Sequence, residues 1–361
     1  MAVDGSGNLL GRASRRDFVK AMGVMGATGL LAACTGDDSS AAGSTGAAAG
    51  GVGDFPTTPE WNFVFVNHVT TNPFFTPTQY GISDASSILG TKFQWTGSEG
   101  SDITEMVNAF ETAIAAKVDG IAVCLVDLNA FNDPIDRALA AGIPVLSYNA
   151  DAPNNRLAYV GQDLFGSGFE MGNRIVEQVG SGKVGLFIAT PGQLNIQPRI
   201  DGAMQAIKDS GANIDAAAIA TGADLNDELS TIEAWYLGNT DAAGMYAVDA
   251  GSTQGVGQVV EKQNARDAGL KGAGGYDLLP DTVRLVSEGI LDFTIDQQPY
   301  LQGFLPALYL YMYKLSGTVA KPPETNTGLV FLDSDSAKLF LDTSSRFEGD
   351  ADAQPTAEAV A

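Results

Sequence analysis

The chain has 361 residues, of which 43 are acidic and 20 are basic, so its formal net charge at neutral pH is −23. This charge argues against binding to nucleic acids or to anionic lipid surfaces, both of which need clustered lysine and arginine. Hydrophobic residues make up 45% of the sequence, and the length suits two domains of ordinary size, each with its own core.

The first 33 residues have the layout of an export signal. Arg15 and Arg16 stand in the sequence Ser-Arg-Arg-Asp-Phe-Val-Lys, and an uncharged run, residues 21–33, follows. That run is shorter than the roughly 20 residues of a membrane-spanning helix. The segment resembles a twin-arginine signal, and the Leu-Ala-Ala-Cys sequence ending at Cys34 resembles the lipobox of bacterial lipoproteins. The resemblance implies lipidation of Cys34 and a protein anchored at the extracytoplasmic face of the cell membrane. A buried amphipathic helix with an incidental cysteine is the alternative.

Two further segments lack hydrophobic periodicity. Residues 34–60 are rich in Gly, Ala, Ser and Thr and predict a flexible tether, and residues 341–361 predict a C-terminal tail. Without residues 1–33 the chain holds 16 basic and 41 acidic residues, a net charge of −25. Cys124 lies in an apolar run and is predicted to be a buried strand residue. We expect no intrachain disulfide and a monomeric protein.

The remaining chain alternates between apolar strand-like runs and segments with helical spacing of apolar residues, such as Ile103, Val107, Phe110 and Ile114. This alternation predicts an α/β fold with parallel sheets, in which ligands bind beyond the carboxyl ends of the strands. The predicted strands cover residues 62–66, 92–96, 120–126, 144–148, 183–189, 244–248 and 293–295.

The loops that follow these strands mix aromatic residues with Asn, Asp and Gln. Carboxylates and amides can hydrogen-bond to hydroxyl groups, and aromatic rings can cover the apolar C–H faces of a sugar. The loops therefore predict a site for a small polyhydroxylated ligand.

Three motifs carry a resemblance to a known family. Asn-Pro-Phe-Phe at residues 72–75, Gly-Tyr-Asp at residues 275–277 and Gln297 with Pro299 resemble the ribose-binding-protein family, the type I sugar-binding components of ABC transporters. The similarity runs from Trp61 to Leu332. It implies two doubly wound parallel-sheet lobes joined by a three-strand hinge, with the ligand in the cleft between them. Lobe 1 would comprise residues 61–163 and 298–325, and lobe 2 would comprise residues 164–297 and 326–340.

The resemblance also implies ligand contacts from both lobes. Asn72, Phe74 and Phe75 match the first-lobe loop that hydrogen-bonds to the sugar and stacks on it. Asp277 matches a second-lobe carboxylate that accepts from sugar hydroxyls, and Gln297 matches the hinge amide. The other candidate ligand-binding residues are His68, Asn149, Asp151, Gln197, Arg199, Asp249 and Tyr276.

The sequence departs from the ribose binders at three places, one of which is Leu225 in place of a stacking phenylalanine. Their Asp-Arg pair after the fourth strand is replaced by Asn149 and Ala150, with Asp151 one residue later. Their second-lobe arginine falls on Gln197, and Arg199 either takes its place or caps the helix. Because a bidentate arginine determines which hydroxyls are read, these departures predict a neutral monosaccharide, a deoxysugar or a polyol that need not be ribose.

Nothing in the sequence predicts catalysis or a cofactor. His68 is the single histidine, which excludes multi-histidine zinc sites, and there is no Gly-x-Ser-x-Gly motif. A Gly-x-Gly-x-x-Gly pattern at residues 180–185 follows a predicted helix and opens a strand, the reverse of a dinucleotide site. We therefore expect a non-enzymatic protein without metal or cofactor, which binds a sugar or polyol and delivers it to an ABC transporter permease. The alternative is a sensory subunit that presents the sugar to a membrane receptor.

Overall fold

A computed structural model describes residues 56–318 and 323–341. The predicted signal (1–33), most of the tether (34–60), Cys34 and nearly all of the tail (341–361) lie outside the described residues. Within the described part, no helix combines the length and the apolar character required to cross a bilayer.

The first sheet is formed by the first part of the chain and one late strand. Its strands are β1 (Asn62–Asn67), β2 (Lys92–Gly97), β3 (Gly120–Val123), β4 (Val145–Tyr148), β5 (Tyr159–Gly161) and β11 (Glu324–Asn326). They are arranged in the order β11-β5-β4-β3-β1-β2, and all neighbours are parallel. The chain order reverses beside β1, and in open α/β sheets such a reversal opens a crevice for ligands at the carboxyl ends of the strands.

The second sheet repeats this topology. Its strands are β6 (Ser181–Ile188), β7 (Asn213–Ala220), β8 (Gly244–Ala247), β9 (Gly272–Tyr276), β10 (Phe293–Asp296) and β12 (Val330–Leu332). Their order is β12-β10-β9-β8-β6-β7, with β12 antiparallel to β10 and the other neighbours parallel. The two sheets confirm the predicted α/β class with two doubly wound lobes.

Helices cover both sheets, because each sheet must bury its apolar faces. Four helices accompany the first sheet: α1 (Thr76–Leu89), α2 (Ile103–Ala115), α3 (Asn132–Ala140) and α9 (Pro299–Ser316). Six accompany the second sheet: α4 (Leu164–Val179), α5 (Gln197–Ser210), α6 (Leu225–Leu237), α7 (Ala250–Lys262), α8 (Pro280–Ser287) and α10 (Ser334–Leu341).

Helices α1 and α9 cross at very short range. A Cβ atom at Gly81 would lie 2.1 Å from the carbonyl oxygen of Tyr300, and one at Gly303 would lie 2.0 Å from that of Thr78. Only glycine permits this approach. Residues of α9 also enter the core of the first lobe, where Cys124 is buried as predicted but lies one residue beyond the end of β3. The return of α9 to the first sheet is what places Gln302 close to the cleft.

The chain passes between the lobes three times, after β5, after β10 and after β11. Buried side chains connect these crossovers. The Gln162 amide donates to the carbonyl of Gly328 (3.0 Å), and the Thr327 hydroxyl donates to the carbonyl of Gln297 (2.7 Å). Gln302 donates to the Gln297 carbonyl as well (3.1 Å). The three-strand hinge is therefore a hydrogen-bonded unit. The exact lobe boundaries stay a prediction.

Candidate functional site

A cavity of about 70 Å³ lies between the two lobes, where the loops after β1, β4, β6, β8, β9 and β10 meet. Both sheets direct the carboxyl ends of their strands toward it, as the doubly wound topology requires. Its polar lining residues are His68, Asn72, Ser101, Asn149, Thr190, Gln193, Asn195, Arg199, Glu228, Asp249, Asp277 and Gln297, and Phe74 and Phe75 supply its aromatic wall.

The aromatic wall is held by a short turn of helix. The Asn72 Oδ1 atom accepts a hydrogen bond from the backbone N–H of Phe74 (2.9 Å) and so caps the 3-10 helix Pro73–Phe75. The rings of Phe74 and Phe75 meet edge to face with centroids 4.7 Å apart. Phe75 is buried against His68 and Trp95, whereas Phe74 is half-buried. Phe74 is therefore the ring that can cover a ligand face, and the amide N–H₂ of Asn72 remains free to donate.

His68 is a neutral member of a buried hydrogen-bond chain. Its Nε2 atom lies 3.2 Å from the side-chain nitrogen of Asn195, which can only donate, so Nε2 accepts and Nδ1 carries the hydrogen. Nδ1 then donates to the Cys124 Sγ atom (3.3 Å), and this thiol donates to the Asn149 Oδ1 atom (3.3 Å). Burial lowers the pKa of His68 to about 3, so the ring is neutral at physiological pH.

Asn149 lines the cavity, but neighbouring groups engage its amide. Its side-chain nitrogen donates to the Gln302 Oε1 atom (3.0 Å), and its oxygen accepts from Cys124. Its backbone is left-handed (φ 63°), a conformation that asparagine tolerates better than most residues. Asn149 therefore connects the first-lobe wall to the hinge amides.

Three predicted site residues, Asp151, Gln197 and Tyr276, lie outside the cavity lining. Asp151 forms an ion pair with Arg156 and accepts from the Ser147 hydroxyl (2.7 Å), so its carboxylate is already occupied. Gln197 opens helix α5 and accepts from the N–H of Gly192 (2.9 Å), while its own amide donates to Asp201 (2.9 Å).

Tyr276, the third of these, lies beneath Arg199 and not at the cavity surface. Its ring centroid is 4.1 Å from the guanidinium carbon, and its hydroxyl donates to the Ser167 Oγ atom (3.0 Å). Burial raises the pKa of Tyr276 to about 12. Tyr276 supports the arginine through a cation–π contact.

Arg199 is the second-lobe cation of the cavity. Its side chain is only 2% exposed; one guanidinium nitrogen donates to the carbonyl of Val248 (2.9 Å) and another donates to the Gln162 Oε1 atom (3.1 Å). Among the residues that the structure describes, none is a hydrogen-bond partner of its Nε atom. The sequence left two roles open for Arg199, and the structure places it at the cavity.

Asp277 is the central carboxyl group of the second lobe. It has a left-handed backbone (φ 75°), its Oδ1 atom accepts from the Gln297 side chain (2.7 Å), and its carbonyl accepts from the Thr294 hydroxyl (2.7 Å). Burial raises the pKa of Asp277 to about 7, although the nearby Arg199 and the hydrogen bond from Gln297 lower it. Asp277 thus sits between its charged and neutral forms near neutral pH.

Asp249 is bound at the start of α7. Its two carboxylate oxygens accept from the backbone N–H groups of Ser252 (2.9 Å) and Ala189 (2.8 Å). Burial raises the pKa of Asp249, whereas these two amides lower it. A second carboxyl group, Glu228 of helix α6, adjoins Asp249 at the cavity wall. Glu228 was not among the predicted ligand-binding residues, because acidic residues are common in the first turn of a helix.

The loop after β6 also brings residues that the sequence analysis did not select. From lobe 2, the Gln193 amide donates to the Ser101 hydroxyl (2.7 Å), Asn195 contacts His68, and the N–H of Leu194 donates to the carbonyl of Val126 (3.1 Å). These three contacts connect lobe 2 to lobe 1 beside the cavity. Whether the predicted residues bind a ligand stays a prediction.

Comparison with known proteins shows which family has this architecture. Residues 63–317 match the family model of the periplasmic binding protein domain. The chain is 49% identical over 320 residues, 84% of its length and 79% of the relative's, to the xylose/arabinose-binding protein XylF of Sulfolobus acidocaldarius.

Solved structures share the same fold. An ABC transporter solute-binding protein from Burkholderia graminis, in complex with D-arabinose, superposes with a TM-score of 0.72 at 24% identity, covering 78% of this chain and 98% of that one. The glucose-galactose binding protein GanP from Geobacillus stearothermophilus gives a TM-score of 0.70 at 26% identity, covering 77% and 99%. The chain therefore belongs to the periplasmic binding protein domain family and is a type I, ribose-binding-protein-like solute-binding protein.

Proposed function

We propose that the protein captures one neutral pentose, xylose or arabinose, in the cavity between its lobes and delivers it to an ABC importer. The observation that carries this proposal is a cavity lined by hydroxyl-binding groups from both lobes. Its volume of about 70 Å³ suits one small sugar. The 49% identical relative named as a xylose/arabinose-binding protein supports a pentose.

The cavity walls suit a ligand without net charge. Phe74 presents an apolar ring from lobe 1, which packs on the C–H face of a sugar ring. Asp277, Gln297 and Arg199 line the opposite wall and bring acceptor and donor groups to it. Alternating donors and acceptors of this kind match vicinal hydroxyls, each of which is both donor and acceptor.

Closure of the lobes is the transport signal. Lobe 1 (residues 61–163 and 298–325) supplies Phe74 and Asn72, and lobe 2 (residues 164–297 and 326–340) supplies Asp277 and Arg199. Neither half alone satisfies the hydroxyl groups, so the sugar binds the closed form more tightly than the open form and shifts the equilibrium toward it. A permease can then distinguish loaded protein from unloaded protein.

Export and anchoring complete the proposal. A twin-arginine signal at Arg15 and Arg16 directs export, and lipid on Cys34 retains the protein at the outer face of the cell membrane, which the high negative charge alone would not do. Cys34→Ser should release the protein into the soluble fraction, and replacing the two arginines by lysine should block export. A wild-type protein that is already soluble and begins upstream of Cys34 would contradict the anchor.

A thermal-shift and calorimetric screen tests the ligand. The panel contains xylose, both enantiomers of arabinose, ribose, glucose, myo-inositol and glycine. A pentose at 100 times its Kd should stabilise the protein by about 2.7 kcal/mol, which raises the Tm by several degrees, and should bind one-to-one at micromolar Kd or tighter. Preference for glycine, or for ribose, glucose or myo-inositol over xylose and arabinose, would overturn the proposal.

A further inference from the structure

Glu228 is a buried carboxyl group at the cavity wall, and its partner is a second carboxyl group, Asp249. Glu228 is 3% exposed and its Oε1 atom lies 3.4 Å from the Ser252 hydroxyl, while among the described residues no nitrogen or hydroxyl donor contacts its Oε2 atom. The Ser252 hydroxyl is itself engaged with the Thr221 hydroxyl (2.8 Å). A buried carboxylate oxygen without a donor is strongly destabilising, so this arrangement needs a proton or a ligand.

The surroundings of Glu228 favour a proton. Asp249 adjoins it and accepts two backbone N–H bonds, which favour its charged form and leave the proton to Glu228. Asp224, at the start of the same helix, adds negative potential. Within residues 56–318 and 323–341, neither Glu228 nor Asp249 forms an ion pair.

Across the cavity, the remaining titratable and charged groups are engaged elsewhere: Asp277 with Gln297, Arg199 with two carbonyl groups, and the neutral His68 with Cys124. Two adjacent buried carboxyl groups without a cation cannot both ionise. Burial, and then the charge of Asp249, raise the pKa of Glu228 to about 10, in agreement with the geometry.

We propose that Glu228 is a specificity-determining residue, whose side chain contacts the bound sugar in its neutral carboxylic acid form. It shares one proton with Asp249 and presents that acid group to a hydroxyl of the bound sugar. This inference rests on the proposed function, since it names the group that selects a neutral hydroxyl ligand at this end of the cavity. An anionic sugar, such as a sugar acid or sugar phosphate, would meet Asp249 there without a compensating cation.

Gly251 of helix α7 provides the space for this carboxyl group. A Cβ atom at Gly251 would lie 1.7 Å from the Glu228 Oε2 atom, and Gly251 itself lines the cavity. Gly251→Ala therefore displaces the carboxyl without removing it. Such overpacking costs more stability than alanine gains as a helix former, so Gly251→Ala should lower both affinity and Tm.

The test compares Glu228→Gln, Glu228→Ala and Asp227→Asn by titration calorimetry with xylose and arabinose between pH 6 and 10. Asp227 is the matched control, an exposed acid in the same helical turn. Wild type should bind more weakly as the pH rises from 8 toward 10. Glu228→Gln, a neutral isostere, should bind within a few fold of wild type at every pH, and Glu228→Ala should bind at least tenfold more weakly. Asp227→Asn should match wild type.

A ligand-free measurement separates the proton from the sugar. In the folded protein Glu228 binds its proton more tightly than in the unfolded chain, so its contribution to stability is greatest at low pH and declines as the pH rises toward 10. The Tm of wild type should therefore fall relative to that of Glu228→Gln between pH 5 and 10. Binding of neither pentose by wild type would overturn the proposed function and this inference with it. If wild type binds but Glu228→Ala binds equally well, or if the two Tm profiles are parallel, only the inference is overturned.

Discussion

Replacement of Asp277 by asparagine isolates the charge of the central carboxyl group. The left-handed backbone at this residue (φ 75°) is accessible to asparagine, and the side-chain oxygen of asparagine can still accept from Gln297. Alanine would lose the hydrogen bond and add backbone strain of roughly 1–2 kcal/mol. Asp277→Asn therefore changes only the ionisation and leaves the fold intact.

The expected loss follows from the difference between charged and neutral hydrogen bonds. A bond to a charged group contributes about 1.5–3 kcal/mol and a neutral one about 0.5–1.5 kcal/mol, so losing the charge weakens xylose binding by about 1–1.5 kcal/mol. That is roughly tenfold in Kd. Asp277→Ala should lose about 2–3 kcal/mol, or about 30- to 150-fold.

The pH dependence follows from the pKa of about 7 that burial gives Asp277. A sugar hydroxyl donates to the ionised form, so wild-type affinity should rise as the pH rises through about 7 and then level off, whereas Asp277→Asn should be insensitive to pH. The free energy of unfolding has the opposite trend. The folded protein holds this proton more tightly than the unfolded chain, so stability from this group is present at low pH and is lost as the pH rises through about 7.

Calorimetric titration with xylose at pH 5.5 and 8.5 measures these effects. Wild type and Asp277→Asn should converge at the lower pH and differ by about tenfold at the higher one. Asp267→Asn, at an exposed acid of the same lobe, is the control and should behave as wild type. Equal affinities of wild type and Asp277→Asn at pH 8.5, or a wild-type affinity that does not change with pH, would refute the assignment of Asp277 as the hydroxyl acceptor.

Other substitutions address the aromatic wall and closure. Phe74→Ala should weaken xylose binding by at least about 1 kcal/mol with little change in Tm, whereas Phe75→Ala should chiefly lower the Tm, because Phe75 is buried core; equal Tm losses for both would contradict this division. Gln193→Ala removes the bond to Ser101 and should weaken binding about two- to twelvefold, mainly through faster dissociation in stopped-flow measurements. Small-angle scattering should show contraction of wild type on addition of xylose, and tight binding without contraction would contradict closure.

The first-lobe part of the site could be predicted because it is encoded locally. Asn72, Phe74 and Phe75 lie on one short turn whose cap and rings are consecutive in sequence. The β6–α5 loop differs. Gln197 was predicted to be a site residue, but it begins the helix and accepts from Gly192 of the preceding loop, while Gln193 and Asn195 line the cavity. Which residues of a loop point inward depends on where the helix begins, and a single sequence leaves that open by several residues.

Long-range packing explains two other differences between the sequence-based predictions and the structure. Strand β9, which is rich in glycine, is absent from the predicted strands. A Cβ at Gly275 would lie 2.2 Å from the Thr253 hydroxyl oxygen, so neighbouring side chains fill the space that its own would occupy. Glu228 looks like a solvent-exposed acid in the first turn of α6. It is buried only because α7 begins with Asp249 and Gly251 directly against it. No local pattern encodes that meeting of two helix termini.

A sugar can control closure of the two lobes because direct interlobe hydrogen bonds are few among the described residues and contacts through the bound sugar add to them. The interlobe bonds of Gln193, Asn195 and Leu194 are neutral, and each contributes about 0.5–1.5 kcal/mol net. Fixing one lobe against the other has an opposing entropic cost of similar size, so these bonds leave the open and closed forms close in free energy. A shift of the population from 1:99 to 99:1 needs a differential affinity of about 5.5 kcal/mol. A micromolar ligand binds with about 8 kcal/mol, so it can supply that difference only if most of its contacts exist solely in the closed form. Asp277 and Arg199 on one wall and Phe74 on the other meet that requirement, because a single small sugar reaches both walls only when the lobes are closed.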